Sequence, residues 1–175
     1  MPKIIENIRE KLLEEARRQV MESGYAAMTI RSVASACGVG VGTVYNYFQS
    51  KDMLVASFML EDWFLCKQEI DAGCSEEKEP ERVLRYVYDG LRRFTLKYEF
   101  LFKDEAAGVS FATSMSKERH KMFCRQIAEA FLPLCKEQTK ARPEFLAEFL
   151  AESVLNSVCF ESSFEEMESV LLQLF

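Results

Sequence analysis

The sequence predicts an all-α protein, and three features of its 175 residues carry that prediction. Apolar residues recur at intervals of three or four over long stretches, which is the spacing of one face of a helix. No segment shows sustained alternation of apolar and polar residues bounded by turn residues, so strands have little support. Four of the seven glycines fall between positions 24 and 42, which concentrates the helix-ending signals near the N-terminus.

Composition and charge fit a folded chain of the ordinary globular type. Hydrophobic residues make up 49% and charged residues 29%, which excludes the disordered and fibrous classes. The net charge of -6 argues against a surface that is basic throughout, although it leaves room for a local basic face. No signal peptide and no apolar run of the roughly 18 residues that span a membrane is evident, so we expect a soluble, cytoplasmic protein without a membrane partner. Six scattered cysteines without a CxxC pair indicate reduced thiols and neither a metal site nor a cofactor.

Two helices are predicted before residue 38. The first carries an apolar stripe from Ile5 to Val20, and Gly24 ends it because glycine readily adopts a left-handed conformation. Thr29 is placed as the N-cap of a short second helix, since its side chain can accept a hydrogen bond from a free backbone amide. Gly38 ends that second helix.

A third and a fourth helix follow after a short turn. The third buries Phe48 on its apolar side and stops at Gln49. Ser50 is predicted to be the N-cap of a long fourth helix, whose apolar stripe begins at Leu54. The segment 71–80, which is rich in charge and ends in proline, is predicted to be a loop.

The C-terminal half is predicted to be helical as well. One helix is expected over 79–98 and another from 116, which Pro133 should kink or interrupt because proline removes an amide donor. Pro143 suits the first turn of the next helix, and a last helix follows over 164–174. In the helix after Pro143, one apolar line holds Leu146, Leu150, Val154 and Val158, and another side holds Phe145, Phe149 and Phe160. A helix that is apolar on two sides needs cover from two directions, so we expect the last two helices to form the interface of a homodimer.

Residues 24–54 carry the motif that predicts function, GYAAMTIRSVASACGVGVGTVYNYFQSKDML. Two short helices joined by a tight, glycine-containing turn are the arrangement of a helix-turn-helix. In that motif the first helix holds the second in the major groove of DNA, where side chains near the start of the second helix reach base edges.

The same stretch resembles the tetracycline-repressor (TetR) family of bacterial transcription regulators. The shared positions are Gly24-Tyr25, Thr29, Val33-Ala34, Gly38-Val39, Gly42 to Phe48, Ser50-Lys51 and Leu54. The resemblance implies a helix-turn-helix DNA-binding domain over 1–49 and a helical effector-binding and dimerisation domain over 50–175. It also implies a transcriptional regulator rather than an enzyme, expected to be a repressor, which binds a palindromic operator on double-stranded DNA as a homodimer and is released by a small-molecule effector.

The resemblance also assigns roles to individual residues. Those expected to face bases or to approach the groove closely are Val41, Gly42, Tyr45 and Asn46. Those expected to bind phosphates are Thr29, Thr43, Tyr47 and Lys51. The sequence departs from the family pattern at Gly40, where serine is usual, at Val41, where lysine or arginine is common, and at Cys37, where alanine is usual. These departures affect the operator sequence more than the binding of DNA.

The charge distribution and the aromatic residues indicate that DNA binding and effector binding lie in different parts of the chain. Through Lys51, seven basic and five acidic residues give +2, whereas the remaining 15 basic and 23 acidic residues give -8. The first part is therefore the least acidic, which suits contact with phosphates. In the rest, aromatic residues indicate a pocket for an apolar or aromatic effector. The candidates for that pocket are Trp63, Tyr86, Phe94, Tyr98, Phe102 and Phe123.

One pair of residues leaves a different function open. His120 and Cys124 are four positions apart and could act as a metal pair or as a nucleophile with its base. The sequence reveals neither a third ligand nor an orienting acid, so a surface histidine beside a core cysteine is the favoured interpretation. Two alternatives to an effector-controlled regulator therefore remain: a dimer derived from a helix-turn-helix that acts only in protein-protein interaction, and a small Cys/His enzyme.

Overall fold

A computed structural model describes residues 7–103, 117–138, 142–160 and 163–175. Within these ranges the chain forms eight α-helices and a short 3-10 helix, Leu172–Leu174, with no strand, so the prediction of an all-α fold is confirmed. The helices are α1 (Ile8–Ser23), α2 (Ile30–Ala36), α3 (Val41–Tyr47), α4 (Lys51–Cys74), α5 (Pro80–Lys103), α6 (Lys117–Gln138), α7 (Pro143–Cys159) and α8 (Phe164–Leu171). None of the helices described is long and apolar enough to cross a bilayer.

The described residues fall into two compact units. The first holds 7–62 and 99–103, and the second holds 63–98 and the described residues from 117 onwards. Most side chains that are buried in the first unit come from the apolar stripes of α1 to α4. They include Leu12, Leu13, Ala16, Val20, Val33, Ala34, Val44, Leu54, Val55 and Phe58, and Met28 and Phe48 from the connecting segments join them. The inward position predicted for Phe48 is confirmed, since only 3% of the residue is exposed.

Local signals place the ends of the first helices. Gly24 follows α1 with a φ of +84°, and Gly38 follows α2 with a φ of +68°, as their predicted positions require. The N-cap role of Thr29 is confirmed, because its Oγ1 accepts a hydrogen bond from the Ser32 amide at 3.0 Å. The Ser32 hydroxyl accepts one in return from the Thr29 amide at 3.1 Å, which completes a capping box. At α4, Ser50 Oγ accepts a hydrogen bond from the Met53 amide at 3.1 Å, so that predicted cap is confirmed too.

Charged side chains join α1 to the first half of α4 within the first unit. Arg17 Nη2 lies 3.0 Å from Asp62 Oδ1, and the Asp62 side chain is only 9% exposed. The Arg17 guanidinium also lies over the Phe58 ring, 5.6 Å from its centroid. Nearer the start of α1, Arg9 Nη1 lies 3.0 Å from Glu61 Oε1. Because these contacts combine charge with packing, they hold the first half of α4 against α1.

Two predicted helix ends and one predicted helix interruption are wrong. Helix α4 continues to Cys74, into the segment predicted as a loop, and Cys74 is buried. Helix α5 continues five residues beyond the predicted end at Tyr98, because Leu101 extends the buried stripe one turn further. Helix α6 runs through Pro133 without interruption. The irregular segment expected around Gly108 lies outside the described residues.

The second unit is built around one apolar core that α4 to α8 share. Its fully buried side chains include Leu84, Val87, Leu91, Ile127, Phe131, Cys135, Leu150 and Val154. Helix α7 begins at Pro143, directly after its N-cap Arg142, so the predicted first-turn role of this proline is confirmed. The α7 line from Leu146 to Val158 is buried, as its spacing predicts.

Gly90 has no room for a side chain, which gives a stability prediction with a matched control. A Cβ at Gly90 would overlap Cγ1 of the buried Ile70 and lie 2.6 Å from its Cδ1. Although alanine favours a helix by about 1 kcal/mol over glycine, overpacking a core costs about 1–3 kcal/mol. We expect Gly90→Ala to lower the free energy of unfolding by up to about 2 kcal/mol in urea denaturation.

Gly73→Ala is the control, because it makes the same change near a side chain that can move. Its Cβ would lie 2.9 Å from Cδ1 of Tyr86, which is 48% exposed and free to rotate outwards. We expect no loss of stability for this variant, and a gain of up to about 1 kcal/mol from helix preference. Equal effects of the two variants would contradict the close packing of Gly90 against Ile70.

Candidate functional site

Helix α3 exposes three of the side chains that the sequence assigns to DNA. Tyr45 and Tyr47 are 51% and 47% exposed, and Asn46 between them is exposed as well. Val44 is fully buried and anchors the helix in the first unit. Tyr45 and Tyr47 add two large aromatic side chains to the exposed surface of one short helix, where a partner could contact them. The exposed side of α3 is therefore a candidate surface for recognition.

The start of α3 is open to close approach. Gly40 is its N-cap, and the Thr43 amide donates to the Gly40 carbonyl at 2.9 Å, with no side chain capping the helix. Nothing lies within 4 Å of the position that a Cβ on Gly42 would take. A first turn that has glycine at two positions and no side-chain cap lets another molecule come close to the backbone.

Lys51 is held in place at the start of α4. Its Nζ lies 4.0 Å from the centroid of the Tyr25 ring, and the Tyr25 hydroxyl donates to the carboxylate of Asp52. This cation-π contact and the adjacent carboxylate offset the unfavourable position of a cation at a helix N-terminus. The ammonium is thereby ordered at the surface of the first unit, where it is half-buried.

All eight residues predicted to contact DNA lie in the first unit, and none of them is fully buried. The exposed ones are Thr29, Gly42, Tyr45, Asn46 and Tyr47, and the half-buried ones are Val41, Thr43 and Lys51. Their individual roles stay predictions. The sequence interpretation did not include Arg31, an exposed cation two positions after the Thr29 cap, although its charge alone was a signal.

Four of the six candidate effector residues form one aromatic cluster in the second unit. The ring centroids of Trp63 and Phe123 are 4.3 Å apart, those of Trp63 and Phe94 are 5.5 Å apart, and those of Phe94 and Tyr98 are 5.3 Å apart. The indole Nε1 of Trp63 donates to Gln126 Oε1 at 2.8 Å. Trp63 and Tyr98 are buried, whereas Phe94 and Phe123 are half-buried.

The other two candidates are not part of that cluster as the structure describes it. Tyr86 is 48% exposed and packs beside Gly73. The side chain of Phe102 lies outside the described part of the chain. Four of the six candidate residues therefore lie together, and their role in binding an effector stays a prediction.

His120 and Cys124 have a third neighbour that sequence reasoning missed. His120 Nε2 lies 3.0 Å from Glu152 Oε1 and 3.1 Å from its Oε2, and Cys124 Sγ lies 3.5 Å from the same nitrogen. Burial and the Glu152 carboxylate raise the pKa of the Cys124 thiol to about 12. In a nucleophile-base-acid relay the base uses one ring nitrogen for each partner. Both partners meet one nitrogen here, so the geometry does not support a Cys/His enzyme.

The N-terminal residues match a known family and two curated relatives. Residues 12–58 match the family profile described as bacterial regulatory proteins, tetR family. The chain is 30% identical over 54 residues to the HTH-type transcriptional regulator UidR of Escherichia coli K12, which covers 31% of this chain and 28% of UidR. It is 24% identical over 125 residues to the HTH-type transcriptional repressor KstR2 of Mycolicibacterium smegmatis, which covers 66% of this chain and 60% of KstR2. The chain thus matches less than two thirds of the length of either relative.

A solved structure shares the fold over nearly the whole chain. A TetR-family transcriptional regulator from Pectobacterium atrosepticum aligns with a TM-score of 0.70 and 18% identity, covering 96% of this chain and 88% of that one. At this identity the likeness shows the fold, while the sequence match covers the helix-turn-helix. Residues 12–58 are thus similar to the tetR family of bacterial regulatory proteins, and the chain shares the fold of the Pectobacterium atrosepticum regulator.

Proposed function

We propose that this protein is a DNA-binding transcriptional regulator, expected to be a repressor, which binds a palindromic operator as a homodimer and is released by a small-molecule effector. Residues 1–49 would be the DNA-binding domain, and residues 50–175 the effector-binding and dimerisation domain. The observation that carries the proposal is α3, which exposes Tyr45, Asn46 and Tyr47 while the buried Val44 anchors it.

In this proposal α3 reads bases through its first turns. The exposed amide of Asn46 can pair with an adenine through two hydrogen bonds, which is the geometry that asparagine supplies in the major groove. The half-buried Val41 meets a thymine methyl group, and Tyr45 reaches a neighbouring base edge. At Gly42 the DNA can approach the backbone closely, because glycine has no side chain and the space beside it is open.

Phosphate contacts flank the groove contacts and fix the register on the duplex. Lys51 supplies an ordered ammonium, and Tyr47, Thr29 and Thr43 supply hydroxyls. The Thr29 hydroxyl accepts a hydrogen bond from the Ser32 amide, and its own proton, which faces Ser32 Oγ at 3.1 Å, can rotate to a phosphate oxygen. Since only a few of these groups are charged, the salt dependence should correspond to a handful of phosphates per subunit.

The second apolar side of α7 supports the homodimer. Phe145, Phe149 and Phe160 are 60%, 46% and 77% exposed, although they lie on the helix that supplies the buried line of the second unit. Val170 of α8 and Leu174 of the 3-10 helix add exposed apolar surface. A two-fold axis across this surface would cover it, and a dimer would present two α3 helices about 34–36 Å apart to successive major grooves.

The aromatic cluster supports an apolar or aromatic effector. It offers several rings and one polar pair, Trp63 with Gln126, and its half-buried members Phe94 and Phe123 give access from outside. Trp63 lies on α4, the helix that begins with Lys51. An effector that separates Trp63 from its neighbours would therefore bias the position of α4 and the phosphate contact at its start, which couples the two sites.

Selection of bound fragments from genomic DNA tests the proposal, because it works for an operator of any sequence. We expect an inverted repeat whose half-sites are centred about one helical turn apart. The double variant Tyr45→Ala/Asn46→Ala changes only exposed side chains of α3 and should recover no motif. If the wild-type protein enriches no sequence, the function is not operator binding, and the alternative of a dimer that acts only in protein-protein interaction is favoured.

A further inference from the structure

Three side chains of types that bind metals converge where α6 and α7 face each other. The donor atoms of His120, Cys124 and Glu152 all lie within 4.8 Å of one another. We propose that these residues form a binding site for one divalent transition-metal ion of the Zn²⁺ type. The site lies in the second unit, whereas the residues assigned to DNA lie in the first, and its test needs no operator.

The distances between the donor atoms are close to those of a tetrahedral site. With bond lengths of about 2.0–2.3 Å to zinc, neighbouring nitrogen and sulfur ligands lie about 3.6 Å apart, and nitrogen and oxygen ligands about 3.3 Å apart. The corresponding distances here are 3.5 Å from His120 Nε2 to Cys124 Sγ and 3.0 Å from His120 Nε2 to Glu152 Oε1. Both distances to His120 Nε2 are therefore within a few tenths of an ångström of a tetrahedral site, and the third pair, Cys124 Sγ and a Glu152 oxygen, lies within 4.8 Å.

The chemistry of His120 Nε2 favours a shared cation over hydrogen bonds alone. A ring nitrogen has either one proton or one lone pair, so it cannot donate to the Glu152 carboxylate and accept from the Cys124 thiol together. A metal ion at the common point satisfies the nitrogen lone pair, the carboxylate and a thiolate at once. Its two positive charges would balance the negative charges of the bound thiolate and carboxylate.

The surroundings provide an open position and suit a borderline-soft metal. Cys124 and Glu152 line a cavity of about 390 Å³ between α6 and α7, which Phe145 and Phe149 of the proposed dimer surface also line. The cavity has room for a water molecule that completes the coordination beneath that surface. Arg125, which also lines the cavity, pairs with Glu148, with 3.7 Å between Arg125 Nε and Glu148 Oε1. A set of one nitrogen, one sulfur and one oxygen ligand selects Zn²⁺ over Mg²⁺ and Ca²⁺, which prefer oxygen alone.

Titration of the full-length protein with metal ions tests the site directly. Reduced protein, freed of metal with a chelator, is titrated with Zn²⁺ in competition with a chromophoric chelator, and we expect one ion bound per chain. Mg²⁺ at the same concentration should not compete. Co²⁺ in place of Zn²⁺ should give a thiolate-to-metal charge-transfer band in the near ultraviolet, which reports coordination by a cysteine.

Two variants and two controls assign the ligands. Cys124→Ser and Glu152→Gln should each lower Zn²⁺ affinity by at least about 100-fold, since loss of an outer-shell partner alone costs 10–100-fold. Cys37→Ser removes a thiol from the other unit, and Glu144→Gln removes an exposed charge from the first turn of α7, so both should bind as wild type does.

Glu152 is partly exposed, which keeps its variant folded, and circular dichroism checks this for each protein. The proposal is overturned if the wild-type protein binds no Zn²⁺, if Cys124→Ser retains the charge-transfer band with Co²⁺, or if all four variants bind alike.

Discussion

Asn46→Ala is expected to weaken binding to the selected operator by about a thousandfold. Asn46 is exposed on α3, so the substitution removes an amide without opening a cavity. A bidentate contact between asparagine and adenine contributes about 1–3 kcal/mol. Because a dimer on a palindrome makes the contact twice, the loss is about 4 kcal/mol, which corresponds to a factor of about a thousand.

Fluorescence anisotropy with the selected operator and a scrambled duplex measures this loss. Affinity for the scrambled duplex should not change, since phosphate contacts do not depend on Asn46. Gln68→Ala is the matched control, because it removes an exposed amide from α4 at a position outside the helix-turn-helix. A loss of less than about fivefold on the operator, or about 1 kcal/mol, would show that Asn46 does not read a base.

The start of the chain could be predicted well because its signals are local. Thr29 and Ser50 cap helices through hydrogen bonds to amides three residues away, so both partners are visible in a short stretch of sequence. Gly24 and Gly38 end helices through their own backbone conformation. The residues assigned to DNA are contiguous with these signals, so a linear motif could single them out as candidates.

Packing with distant residues decided the boundaries that sequence reasoning misplaced. Leu101 prolongs α5 because its side chain is fully buried. Pro133 stays within α6 although it lacks an amide, because Phe131, Leu134 and Cys135 around it are buried in the core. Buried neighbours on both sides hold the turn in place, whereas composition alone shows only the cost of the proline.

The contrast between local and distant contacts also separates the candidate DNA surface from the aromatic cluster and the His120 cluster. Trp63 and Gln126 are 63 positions apart, and His120 and Glu152 are 32 apart, so no spacing rule could connect them. Tyr86 had the right chemistry for an effector pocket, but α5 buries Val83 and Val87 and leaves Tyr86 outside. Residue type therefore located candidates, and only the fold decided which of them meet.

Phe149→Glu is expected to convert the proposed homodimer to a monomer. Phe149 lies on the exposed apolar side of α7 with Phe145 and Phe160, while Leu146 and Leu150 hold the other side in the core. Truncating a buried phenylalanine costs about 3–5 kcal/mol, and the new carboxylate lies on the same helix as Glu148 and Glu152. Since an isologous interface contains the change twice, the dissociation constant should rise by at least about a thousandfold.

Sedimentation at micromolar protein should then give the mass of one 20.2 kDa chain instead of two. Phe64→Glu is the control, since Phe64 is 49% exposed on α4, close to the 46% of Phe149. A monomer carries one α3, so it should lose affinity for the full operator but retain that of a single half-site. If the Phe149→Glu protein stays dimeric, or if the Phe64→Glu protein dissociates equally, the interface does not lie on α7. Because the fold of the second unit depends on the opposite side of α7, its helical content should not change in either case.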